Sequence, residues 1–147
     1  QNILAVLEVA MPDRHRRRDR LEELLGDFSI GHLRQAPALA LSGGERRRVE
    51  IARALATQPH YILLDEPLAG MNRDEKQEIA ALIARLNADL GLTIVLIEHD
   101  IGVVLRLAHH VVVLDYGRKL ADGPPETIRD NPDVIAAYLG AAAAEAA

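Results

Sequence analysis

The sequence predicts an α/β fold: parallel core strands with flanking helices, joined to an α-helical subdomain. Three observations carry that prediction. Tyr61-Ile62-Leu63-Leu64 is an apolar run that ends in Asp65, Glu66 and Pro67. Such a short run without polar alternation suits a strand buried on both faces of a parallel sheet. Leu92 to Ile97 is a second such run, and it ends in Glu98-His99-Asp100. Between them, Ile79, Leu82, Ile83, Leu86 and Leu90 form an i, i+3, i+4, i+7 stripe, the mark of an amphipathic helix. Strand, helix and strand at this spacing make a βαβ unit with parallel neighbours and a right-handed crossover. Both strands then deliver acids, and one a histidine, to the carboxyl edge of the sheet, where open α/β sheets bind ligands.

Composition narrows the classes. The chain has 147 residues, of which 49% are apolar and 3% aromatic, with no Trp. That length fits one domain or part of a larger one, and its core must be built from Leu, Ile, Val and Ala. Cysteine is absent, which excludes disulfides, thiolate metal sites and a Cys nucleophile. A net charge of −5 argues against a general nucleic-acid binder. No apolar run approaches the roughly 20 residues that span a bilayer. The sequence opens at Gln1 without Met or a signal-peptide pattern, and its first residues already read as folded structure. We therefore expect a fragment whose N-terminal part lies upstream.

Taken in order, Asn2 to Val9 is apolar with little interruption. It reads as a helix packed on both sides, with a short strand as the alternative. Pro12 ends it. Arg14, Arg16, Arg17, Arg18 and Arg20 follow. They read as the solvated face of a helix running on to Leu21, Leu24 and Leu25, with Glu22 and Glu23 near enough to pair with some of them. Gly26 stops this helix, and Phe28 and Ile30 are core anchors. Gly31 to Ala40 is a connection. Next comes Leu41-Ser42-Gly43-Gly44-Glu45, and Arg46 to Ala56 is a helix with Val49, Ala52, Leu55 and Ala56 on one side. Two readings of its start stand side by side. One is an ordinary helix capped by Ser42 or the glycines. The other is an anion site, because paired glycines admit a ligand close to the backbone and a helix N-terminus offers unpaired N–H groups and a positive dipole end.

Beyond the first strand, Leu68 to Met71 is a turn, and Asn72 with Glu75 has the spacing of a capping box that starts the long helix. Gly91 suits that helix's C′ position. After Asp100 come a short helix from Ile101 to Ala108, a strand from Val111 to Leu114, a turn at Asp115 to Arg118, and an antiparallel return from Lys119 to Ala121. A short helix begins near Pro125 and the last one at Asn131-Pro132; Gly140 ends it, and Ala141 to Ala147 frays. His99, directly after a buried strand, is the histidine best placed to act. His109 and His110 mark a helix end and, being adjacent, share no face. His15, His32 and His60 read as ordinary loop or surface histidines.

Leu41 to Glu45, then Ile62 to Pro67, then Ile97-Glu98-His99-Asp100, in this order and spacing, resembles the ATP-binding cassette (ABC) ATPase family, whose fold is that of P-loop NTPases. The likeness covers nearly the whole chain. It implies that Leu41, Ser42, Gly43, Gly44 and Glu45 are the signature motif, which meets the γ-phosphate of ATP held by the other cassette of a dimer. It implies that Asp65 holds Mg²⁺, mostly through water, that Glu66 is the general base or water-positioning residue, and that His99 is the switch histidine on the γ-phosphate. Because successive strand residues point to opposite sides, adjacent acids can serve different partners. Ala69, Gly70, Met71 and Asn72 occupy the D-loop, where many members end in Asp rather than Asn72. The departure that matters is an absence: these residues contain no G-x-x-x-x-G-K-[ST], the loop that cradles the phosphates. Gln1 reads as a helix residue rather than as the family's Q-loop glutamine.

The resemblance divides the chain into a helical subdomain (1–57) with the signature motif and its helix, the C-terminal part of a RecA-like core (58–140), and an Ala-rich tail (141–147). It implies ATP and Mg²⁺, a second cassette as homo- or heterodimer partner, transmembrane permease subunits, no nucleic acid, and a peripheral place on the cytoplasmic face of the inner membrane. Ala69 to Asn72, Ile97 to Val104, Val113 to Lys119 and Asn131 to Gly140 are most similar to the ATPases of branched-chain amino acid importers. His32-Leu33-Arg34 and Leu41 to Leu55 are also similar to lipopolysaccharide-export ATPases. Two further alternatives are a truncated cassette acting only as an interaction module and a soluble cassette acting on nucleic acid or ribosomes. The fragment by itself is expected to hydrolyse no ATP.

Overall fold

A computed structural model describes residues 2–145. Gln1, on which the Q-loop question turns, and Ala146 and Ala147 of the tail lie outside the described residues. The chain forms two compact units, one ending at Ile97 and the next beginning at Glu98.

The first unit opens with α1 (Asn2–Ala10) and α2 (Arg14–Asp27). The helical reading therefore holds for the first segment, but packing on both sides does not: α1 buries Ile3 and Leu7 while Leu4 and Val9 are exposed. Asp13 caps α2 by accepting the N–H groups of His15 and Arg16. The α2 helix runs one residue past Gly26 before Phe28 closes it. Its arginines behave as a surface: Arg20 pairs with Glu23, and Glu22 receives both terminal nitrogens of Arg34. Two short 3₁₀ turns, Gly31–Leu33 and Ala38–Ala40, cross the connection to α3 (Gly43–Leu55). Phe28 and Ile30 are buried, as anchors should be.

The βαβ unit is present. β1 (Tyr61–Asp65), α4 (Arg73–Leu90) and β2 (Thr93–Ile97) follow in order, and β1 pairs with β2 in parallel from Tyr61 opposite Thr93 to Asp65 opposite Ile97. Asn72 and Glu75 form the expected capping box at the start of α4, and Gly91 ends the helix in the left-handed region at φ 60°. The stripe of α4 is buried at Ile79, Leu82, Ile83 and Leu86, whereas its expected last member, Leu90, is exposed at the helix end.

One expectation fails. The strands are not buried on both faces: Ile62 and Leu64 are 5% and 8% exposed, whereas Tyr61 and Leu63 are 68% and 76% exposed. Val95 and Ile97 of β2 are about half exposed as well. An unbroken apolar run records that a strand can be covered on two sides. Among the described residues only one side of this two-stranded sheet has a covering layer.

The second unit contains α5 (Ile101–Leu107), the hairpin β3 (Val111–Asp115) and β4 (Arg118–Gly123), α6 (Pro125–Arg129) and α7 (Pro132–Glu145). Tyr116 and Gly117 have φ 43° and 76°, the two positive values that a two-residue type I′ hairpin demands. Val111, Val113, Ile128 and Val134 form its core, with Val104 and Leu120 packed against them. The last helix does not stop at Gly140 but continues to Glu145. A glycine costs about 1 kcal/mol inside a helix, and the alanines around it are the best helix formers.

Replacing Phe28, which is 1% exposed, by Ala should destabilise the first unit by about 3–5 kcal/mol. Leu39→Ala, at a side chain 96% exposed, should change stability by no more than about 0.5 kcal/mol. Urea midpoints at constant slope read both, and equal midpoints would remove Phe28 from the core.

Candidate functional site

The first cluster lies where β1 ends. Asp65 is the last strand residue and is exposed. Glu66 is already outside the strand, in the left-handed region at φ 42°. A non-glycine residue there stores on the order of 1–3 kcal/mol and persists only where its surroundings over-determine it. They do so here. The Glu66 N–H donates to the Ile97 carbonyl at 2.9 Å, and its own carbonyl accepts the Ala69 N–H at 3.1 Å. Pro67 is fully buried. Arg47 of α3 reaches the same turn: its Nε donates to the Pro67 carbonyl at 2.9 Å and its Nη2 to the Glu66 carbonyl at 3.3 Å. Strand alternation thus does not separate Asp65 from Glu66, contrary to expectation, because the turn rather than the pleat aims the second acid.

The second cluster is the start of α3. Ser42 Oγ accepts the Glu45 N–H at 3.2 Å, and Glu45 Oε2 accepts the Ser42 N–H at 2.9 Å, a reciprocal cap. Glu45 Oε1 also meets His32 Nε2 at 3.3 Å, so His32 has a specific neighbour within the motif. The Ser42 N–H foremost, and His32 after it, hold the Glu45 carboxyl below its ordinary value of 4.5. The Gly44 N–H donates to Glu75 Oε1 at 3.4 Å, while Glu75 Oε2 accepts the Asn72 N–H at 3.2 Å. Both glycines lie close to the segment that starts α4, at distances where a Cβ would make ordinary contact. A Cβ on Gly44 would lie 3.5 Å from the Glu75 side chain, and one on Gly43 would lie 3.6 Å from Met71 Cγ. Leu41 to Glu45 and Ala69 to Asn72 are therefore neighbours. The N–H groups expected to be unpaired are largely engaged: Gly44 by Glu75, Glu45 by Ser42.

His99 is exposed and falls in the second unit, just after β2. Asp100 caps α5 by accepting the Val103 N–H at 3.1 Å. His110 differs from its reading as a helix end: α5 stops at Leu107, and His110 Nε2 meets Asp122 Oδ1 at 2.6 Å. Lys119 and, after it, His110 lower the Asp122 carboxyl below its ordinary range. Among the described residues no three His, Cys, Asp or Glu side chains gather to hold a metal, and no helix is long and apolar enough to cross a membrane. Sequence reasoning missed the contacts of Arg47 with the Glu66 turn and the bridge made by Glu75. The capping-box spacing pointed to Glu75 for its own helix only.

Comparison with known proteins decides the family. Residues 1–69 match the family model described as ABC transporter, and residues 118–144 match that described as branched-chain amino acid ATP-binding cassette transporter. The chain is part of an ATP-binding cassette of the ABC transporter family. It is 43% identical over 144 residues to the high-affinity branched-chain amino acid transport ATP-binding protein BraF of Pseudomonas aeruginosa, covering 96% of the chain and 56% of that protein. Its fold is similar to CbiO1 of Clostridium perfringens, part of the ABC transporter complex CbiONQ, with a TM-score of 0.74, 33% identity, and coverage of 84% of the chain and 49% of the neighbour. A dimeric cassette in a post-hydrolysis state with ADP and Pi is similar at a TM-score of 0.66 and 30% identity, over 82% of the chain and 56% of that cassette. The chain spans about half the length of the curated relatives it matches. The fold is thus that of cassette P-loop NTPases, a family that binds nucleotide.

The depressed Glu45 carboxyl sets the sign of a pH effect on the signature cap. The contribution of the cap is complete above the unfolded-chain value near 4.5 and fades as pH falls through the lower folded value. A ¹³C NMR titration of Glu45 should give a midpoint below 4.5 that moves upward in His32→Ala. A midpoint at or above 4.5 in the unaltered protein would contradict the cap.

Proposed function

We propose that this chain supplies the signature motif and the hydrolytic edge of an ATPase that energises transport, most plainly the uptake of branched-chain, hydrophobic amino acids. The observation that carries the reading is the turn after β1. It holds Glu66 in a left-handed conformation, next to Asp65 and bonded to the helix that begins with the signature glycines. The relative from Pseudomonas and the family match over residues 118–144 support the amino acid assignment.

In this reading Glu66 accepts the proton of the attacking water, or aims that water at the γ-phosphorus. Apart from such a base, positioning and electrostatics are nearly all that a protein adds to phosphoryl transfer. Asp65 fits Mg²⁺. The ion takes one or two carboxylates and completes its shell with water and substrate phosphates, and Asp65 is an exposed single carboxylate at a strand end. Mg²⁺, when bound, neutralises charge on the phosphates. His99 hydrogen-bonds the γ-phosphate. Ser42, Gly43 and Gly44, with Leu41 and Glu45 shaping the turn, meet a nucleotide bound by a second cassette, and Ala69 to Asn72 lie along the same interface. The organisation is a helical subdomain (1–57), part of the catalytic core (58–140) and a tail (141–147). The partners are a second cassette and permease subunits, with the assembly on the cytoplasmic face of the membrane. The dimeric neighbour holding ADP and Pi supports the two-cassette arrangement.

In the full cassette, Glu66→Gln should lower ATP turnover by about 10²–10⁴-fold, the range of a positioned general base, while leaving ATP affinity within about twofold. Steady-state ATPase assays and nucleotide titration read the two quantities. Turnover at the unaltered rate would sink the role of Glu66. The 147-residue chain alone should give no measurable ATPase, since it contains no phosphate-cradling G-x-x-x-x-G-K-[ST].

A further inference from the structure

We infer that Arg47 is a positioning residue for hydrolysis: it holds the left-handed turn from which Glu66 acts. This rests on the reading of Glu66 given above and adds a residue that the motifs do not contain. Arg47 stands on the second turn of α3, five residues after Ser42. Each nitrogen of its guanidinium has an assignment. Nε donates to the Pro67 carbonyl at 2.9 Å, Nη2 to the Glu66 carbonyl at 3.3 Å, and Nη1 to Glu50 Oε2 at 2.8 Å. Glu50 lies one turn further along the same helix and fixes the plane of the fork. The two remaining edges then grip successive carbonyls of one turn.

Those two carbonyls follow directly on the residue that carries the strain. Glu66 sits at φ 42°, so relaxation of the turn would rotate its Cα and swing the carboxylate away from its aim. The peptide N–H is tied to Ile97, in β2. On the carbonyl side the local turn bond from Ala69 is joined by a charged, planar donor from a different helix. A charge-assisted bond is about twice as strong as a neutral one, and a lysine ammonium cannot reproduce the fork. The side chain of Arg47 is 25% exposed, so its bonds are partly shielded from water. Arg47 also joins the helix that begins with Gly43 and Gly44 to the turn at Glu66, and so links the two clusters.

The test uses the full cassette and measures kcat and KM for ATP, with thermal midpoints. Arg47→Met should lower kcat by about 10- to 100-fold, the scale of a reacting group misplaced by an ångström, at nearly unchanged KM. Arg47→Lys, with a single ammonium, should recover part of that loss. An unaltered kcat in Arg47→Met overturns the inference, as does a fall in kcat matched by an equal rise in KM with no recovery in Arg47→Lys. Glu66→Gln, assayed in parallel, separates the two claims. If it abolishes turnover while Arg47→Met retains it, only the role of Arg47 fails; if it retains turnover, the reading of Glu66 fails and this inference with it. Should Arg47→Met not fold, Arg47→Lys decides: reduced kcat at unchanged KM supports the role, and an unaltered kcat overturns it.

Discussion

The first unit depends on the parallel register of β1 and β2 at their carboxyl ends. Asp65 stands opposite Ile97, and the next ladder bond runs from the Glu66 N–H to the Ile97 carbonyl. After that bond the strand cannot continue, because Pro67 has no N–H to give and its ring is buried. The chain must turn within one residue, and Glu66 takes the left-handed conformation that the turn requires. Strain of on the order of 1–3 kcal/mol is thereby placed on a carboxylate rather than on a glycine. A glycine would turn more easily but would bring no acid to the sheet edge.

The same economy governs the helix starts. Glu75 serves its own helix by accepting the Asn72 N–H, and with its other oxygen it accepts the Gly44 N–H at the start of α3. Two helix N-termini share one carboxylate. Each has a positive dipole end that favours a negative group, so the arrangement satisfies both at once. It also qualifies the anion site expected at Gly43 and Gly44. The capacity of this N-terminus is partly used by an internal anion. The contact is long, 3.4 Å, at the weak limit of hydrogen bonding.

Much of this was legible in the residues. Helix α4 was readable at both ends because its cap and its terminal glycine are local chemistry, and its stripe repeats over many residues. The order of signature, acids and histidine was readable because short motifs keep their spacing. The burial of β1 is not legible in the same way, because apolar composition reports what a strand can tolerate, whereas exposure depends on which layers are present. Tyr61 and Leu63 meet no second layer among the described residues, and no local pattern could say so. The end of α7 lies beyond the expected stop at Gly140 because the alanines around that glycine favour the helix. The grip of Arg47 had no signal at all. It joins a side chain to two backbone carbonyls some 20 residues away, and carbonyls are the same in every residue.

In the proposed reading adjacent acids pose a problem of direction: Asp65 must face the metal and phosphates, Glu66 the water. Strand alternation would solve it if both residues belonged to the strand, but only Asp65 does. The pleat therefore aims Asp65, and the turn aims Glu66. The two depend on different parts of the structure. Asp65 is held by the sheet register, which a distant helix does not set. Glu66 is held by one bond to β2 and by a guanidinium on α3. A small shift of α3 would reach Glu66 through its carbonyl and leave Asp65 on its strand. Because α3 is also the helix whose first turn carries Gly43 and Gly44, Glu66 is the acid of the pair that is tied to that helix.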